Sequence, residues 1–75
     1  MKQLPKTILG AITNDYQLAD KVIAQFREFG YKRFITQEEA VIECEYMIEH
    51  GYGEQWSPVL KMFLSYPADQ MFWTH

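Results

Sequence analysis

The chain has 75 residues, with seven Lys and Arg against ten Asp and Glu, for a formal net charge of −3. Apolar residues make up 48% of it and aromatic residues 16%, too much apolar surface and too little charge for a disordered chain. A second core would not fit, so residues 1–75 are read as one compact domain. No apolar run approaches the roughly 18 residues of a membrane span, and no membrane association is expected.

Cys44 is the single cysteine, which excludes an intrachain disulfide. Lys2 and Lys6 are not followed by the apolar stretch of a signal peptide. Both observations point to a reducing compartment, and a cytoplasmic protein is expected.

In chain order, residues 4–13 are ambiguous. Pro5 suits the first turn of a short helix with Ile8, Ala11 and Ile12 on one side, whereas Thr7, Ile8 and Ile12 equally suit a strand. Asn14 with Gln17 three residues on resembles a capping box, and Asp15 suits a helix start. Leu18, Ala19, Val22, Ile23, Phe26 and Phe29 then recur at helical spacing until Gly30, placing a helix over 15–29.

Residues 31–35 read as a connector or a short strand. Thr36 and Glu39 form a second capping box, opening a helix over 37–50 that Gly51 closes. Ala40, Val41, Cys44, Met47 and Ile48 are its apolar stripe, and 52–55 read as a loop. Ser57-Pro58 then suggests N-cap and first turn of a helix over 58–66, apolar on most sides and stopped by Pro67. The tail after Pro67 reads as at most one more helical turn.

The elements sum to an all-α fold, a small bundle of three main helices with a short N-terminal segment. The alternative is α+β, with one or two short strands near 7–13 and 31–35. A two-stranded parallel sheet with so few helices would be poorly covered, which favours the bundle.

Charge is segregated along the chain. Residues 1–33 carry a net +3 and residues 34–75 a net −6, with no Lys or Arg between Phe34 and Leu60. Such a chain either pairs its own halves or shows an acidic face to a basic partner.

The helix over 37–50 carries the sharpest candidate site. Ile42 and Tyr46 lie one turn apart, opposite the apolar stripe. Glu38, Glu45 and Glu49 flank them on one side; Glu39, Glu43 and His50 flank them on the other. Either the pair packs beneath another segment, such as the aromatic C-terminus, or it is a contact patch with an acidic rim. The glutamates themselves suit a solvated face or an imitation of nucleic-acid phosphates, for which a net −3 is modest. Among the C-terminal aromatics, Trp56, Phe63 and Tyr66 are expected in the core. Phe72 and Trp73 either dock or form a second partner-binding anchor.

Other chemistry has little support. Tyr31-Lys32-Arg33-Phe34 mixes rings and cations as single-strand binders do, but the overall acidity disfavours direct nucleic-acid binding. Cys44 and His50 fall on opposite sides of their helix. Glu43 and His50 share a side but stand about 10.5 Å apart along it, too far for one metal ion. No motif for a metal, a phosphate or an activated nucleophile is present, so no catalytic residue, metal or cofactor is expected.

The resulting expectation is a small acidic non-enzymatic protein-binding module. It would occupy a basic, nucleic-acid-handling surface of a larger partner, in the manner of a phage-type inhibitor or accessory protein. The alternative is a homodimer or other homo-oligomeric structural subunit, associating through the helix over 58–66 and the aromatic C-terminal region.

Overall fold

A computed structural model describes residues 5–12 and 15–74. It shows an α+β domain, which corrects the all-α expectation. The strands are β1 (Lys6–Thr7), β2 (Phe34–Thr36) and β3 (Met71–Trp73). The helices are the single turn α1 (Ile8–Ala11), then α2 (Tyr16–Glu28), α3 (Gln37–Met47) and α4 (Gly53–Phe63).

The element that overturns the bundle is the C-terminal segment. It forms β3, the central strand of a three-stranded mixed sheet ordered β1-β3-β2. β1 runs parallel to it, with Lys6 opposite Phe72 and Thr7 opposite Trp73. β2 runs antiparallel, with Phe34, Ile35 and Thr36 opposite Trp73, Phe72 and Met71. The two strands anticipated in the α+β alternative therefore never pair with each other. Of the ambiguous residues 7–13, position 13 lies outside the described residues and the rest show both readings partly right: Thr7 ends β1 and caps α1, its hydroxyl accepting the Gly10 N–H at 2.9 Å.

Polar ties hold the C-terminal segment in place. The Gln37 N–H donates to the Gln70 carbonyl at 2.7 Å, and the Thr74 N–H to the Arg33 carbonyl at 3.1 Å. The buried Thr74 hydroxyl donates to the Tyr31 carbonyl at 2.6 Å. The side chain of Gln37, also buried, donates to the Phe63 carbonyl at 2.8 Å, linking the start of α3 to the end of α4. These bonds satisfy groups that would otherwise cost free energy when removed from water.

Helix α2 matches its expectation closely. The Asn14 capping box lies outside the described residues; the cap observed is Asp15, whose carboxylate accepts the Leu18 N–H at 2.9 Å. At the other end Gly30 has φ +110°, and the Tyr31 and Gly30 N–H groups bond back to Phe26 and Arg27. That is a Schellman stop, which glycine accommodates without strain.

Helix α4 starts earlier than Ser57-Pro58 suggests. His50 and Gly51 leave helical geometry in the wide turn Ile48–Tyr52, and Gly51 takes φ +97°. The chain then re-enters helix at Gly53, so residues 53–55 are helical and Pro58 sits inside α4. The early start places Trp56 in the core, edge-on to Phe26 at 5.8 Å between centroids. Burying an indole compensates for the hydrogen bond that Pro58 removes. After Phe63 the chain leaves the helix through tight turns to Tyr66.

The core is one cluster. Ala19, Val22 and Phe26 of α2 meet Ala40, Cys44 and Met47 of α3, with Trp56, Val59 and Phe63 of α4. Ile35 and Phe72 cover it from the sheet. Phe63 contacts Phe26 at 6.0 Å and Phe72 at 5.1 Å, so its ring bridges the helices and the central strand.

Candidate functional site

The outer face of α3 is built by local signals. Thr36 and Glu39 form the expected capping box: the Glu39 N–H donates to the Thr36 hydroxyl at 3.2 Å, and the Thr36 N–H to the Glu39 carboxylate at 3.0 Å. With the start fixed and Ala40, Cys44 and Met47 turned inward, helical spacing points Ile42 and Tyr46 away from the core. Ile42 is 59% exposed and Tyr46 45% exposed. Neither is covered by the C-terminal segment, which is engaged in the sheet.

The ring of carboxylates is asymmetric. Glu38, Glu45 and Glu49 are exposed. Glu39 is half-buried and occupied by the cap. Glu43 is half-buried and hydrogen-bonded to the Tyr31 hydroxyl, whose pKa is pushed up to about 12 by burial first, then by the bond and charge of Glu43 and the charge of Glu39. Two of the five sequence-predicted glutamates thus serve the fold, and three are exposed to solvent. No ion pair within 4 Å joins these three to a Lys or Arg among the described residues. Among the described residues, these three carboxylates therefore keep their charge unpaired on the surface.

At the C-terminal end of α3 the rings gather. The Tyr46 and His50 rings stack at 4.0 Å, and Phe29 from α2 meets Tyr46 edge-on at 5.5 Å. His50 Nδ1 lies 2.8 Å from the Tyr46 carbonyl oxygen. The turn at Gly51 then presents Tyr52, which is half exposed. Together these residues wall an open cleft of about 370 Å³ between α2 and the α3–α4 corner, with Gln25 and Met47 completing it. The cleft continues past Gln25, Met47 and Tyr52 into a second depression of about 320 Å³ beside Lys21, Glu28 and Trp56.

Cys44 faces the core and is fully buried. Burial pushes its thiol up to about 12, with smaller contributions from the charges of Glu43 and Glu45. Such a thiol holds almost no thiolate near neutral pH. Among the described residues no group of three or more His, Cys, Asp or Glu is placed to hold a metal ion. None of their helices is long and apolar enough to cross a membrane.

The second predicted anchor divides. Phe72 is fully buried on the inner face of β3, against Phe63 and Tyr66, and forms core instead of a surface anchor. Trp73 is half-buried on the opposite face of the sheet, in register with Phe34. Lys32 and Arg33 are exposed beside Phe34. The face of α4 that was the alternative self-association surface retains an exposed Leu64 and a half-buried Leu60, while Val59 and Phe63 are buried.

No family model, curated protein or solved structure matches this chain.

Helical spacing alone sets His50 one turn on from Tyr46. Nothing local marks Phe29, which lies on the apolar stripe of its helix, or Tyr52, which lies in the segment that reads as a loop; packing of the end of α2 against α3 brings Phe29 to Tyr46. The one local signal near Tyr52 is Gly51, whose left-handed backbone sets where Tyr52 emerges.

Proposed function

We propose that this protein is a small, acidic, non-enzymatic binding module that uses the outer face of α3 to occupy a basic surface on a larger protein. One observation carries the reading. Ile42 and Tyr46 stand exposed on α3, beside three carboxylates that no Lys or Arg among the described residues pairs. An apolar centre with a charged rim is the arrangement that binding hot spots use. Like charges on the rim also speed encounter with an oppositely charged target. A target that ordinarily handles nucleic acid has such a surface, and inhibition or accessory binding in the style of a phage protein follows from covering it. The compartment fitting this reading is the cytoplasm.

The test is capture from a lysate of the source cells, with wild type and the Ile42→Ala/Tyr46→Ala variant as parallel baits. A captured basic protein is then purified and its affinity measured against both baits at low and high salt. Binding that weakens with salt and falls at least about tenfold in the variant, a loss the size of a modest hot spot, supports the reading. Equal binding of the two baits, or capture of nothing, ends it.

A further inference from the structure

The cleft beside Tyr46 has a chemistry of its own. Its walls are ring and thioether surface from Phe29, Tyr46, Tyr52 and Met47. Its polar groups include acceptors. The Tyr46 carbonyl can only accept, so the 2.8 Å contact requires the proton on His50 Nδ1. In the neutral ring this leaves Nε2 as an acceptor without its own hydrogen. The Gln25 amide adds a carbonyl oxygen. Glu45 and Glu49 do not line the cleft; they are exposed on the neighbouring side of α3 and contribute charge to the same face. Among the described residues no Lys or Arg lines this part of the cleft; Lys21 lines the adjoining depression, together with Glu28.

We infer that the cleft receives an arginine side chain of the basic partner, seated among the rings with its N–H groups on these acceptors. This rests on the reading of α3 as the partner-binding face and specifies how that face is anchored. Arginine fits better than the alternatives. A guanidinium is planar, weakly hydrated, and able to stack on tyrosine while donating from five N–H groups. A lysine ammonium is a strongly hydrated point charge with less to gain from ring faces. An aliphatic side chain would fill the walls but leave the acceptors unmatched. A carboxylate would find no described cation lining this part of the cleft to offset its charge. The cleft adjoins Tyr46 itself, so an arginine here and an apolar group on Ile42 could come from one continuous partner surface.

The probes are hexa-arginine and hexa-lysine peptides, titrated at low salt into the full 15N-labelled chain and into its Tyr52→Ala variant. Tyr52 is half exposed and outside the core cluster, so its removal leaves the fold intact, which the amide spectrum verifies. The expected result is hexa-arginine binding about fivefold tighter than hexa-lysine, the scale of a cation–π contact at an exposed site. Its shifts should centre on Phe29, Tyr46 and Tyr52, and Tyr52→Ala should reduce arginine affinity to the lysine level. Equal affinity with shifts confined to Glu38, Glu45 and Glu49 overturns the arginine cleft and leaves the acidic face standing. A preference for arginine that survives Tyr52→Ala also overturns the cleft. No shift with either peptide overturns the cleft and the acidic face together.

Discussion

The outer face of α3 and the C-terminal segment begin from similar material. Each sets large apolar side chains in a stretch of chain without Lys or Arg: Ile42 and Tyr46 among glutamates, Phe72 and Trp73 after Asp69. Their fates are opposite. Ile42 and Tyr46 are exposed, while Phe72 is fully buried at the centre of the sheet. The difference lies in what each segment must pair with. α3 closes its hydrogen bonds within itself, so its outer face is free to meet solvent or a partner. The segment after Pro67 satisfies its backbone only by entering between two distant strands, and its alternate side chains follow that pairing inward.

Breaking the C-terminal side should have the largest effect. Phe72→Ala removes a ring packed on Phe63 and Tyr66 and is expected to cost about 3–5 kcal/mol. That approaches the whole stability of a domain this small, so circular dichroism should show a chain largely unfolded at 25 °C. A cooperative melt near that of the wild type would mean that β3 is dispensable.

Alkaline pH probes the inner face of α3 and the turn that supports it. Cys44 and Tyr31 both have raised pKa values in the folded chain, about 12 in each case. For a group raised on folding, the native state favours the protonated form. The associated stability is complete below the unfolded pKa and is lost as pH climbs through the folded one. Urea midpoints should therefore hold up to about pH 9 and fall towards pH 12. Cys44→Ala and Tyr31→Phe should each flatten that fall, and an unchanged slope in both would contradict the assignment.

Smaller effects test the local half of the comparison. Thr36→Ala removes the side-chain half of the capping box and is expected to cost about 1 kcal/mol. Thermal melts resolve that against wild type. Ile42→Ala should change stability by no more than about 0.5 kcal/mol, because its side chain is mostly in water already. A melt lowered as far as that of Phe72→Ala would show that the two regions do not differ after all.

How much was legible in advance follows the same division. The stop at Gly30, the cap at Thr36 and the inward stripes of α2 and α3 depend on residues within a turn or two of each other, and all appear as read. Pro58 misled, because the usual preference of proline for a first turn is weaker than the gain from burying Trp56. Of the site, Ile42 and Tyr46 with Glu38, Glu45 and Glu49 were readable from helical spacing. The duties of Glu39 and Glu43 were not fully so: the Thr36–Glu39 box signalled the first, but the bond to Tyr31 joins residues in different elements.

The sequence by itself determined the presence of three main helices, the caps and stripes of the first two, the glycines that follow them, one acidic helix face and a thiol with no partner. These are consequences of period, capping and charge order, which a chain carries locally. The tertiary structure alone decided that the last strand enters the middle of the sheet, that Phe72 is core, and that Phe29 and Tyr52 join His50 beside Tyr46. Each of those depends on which distant backbone a segment pairs with and how far apart the core rings hold the helices, and no short window of residues encodes either.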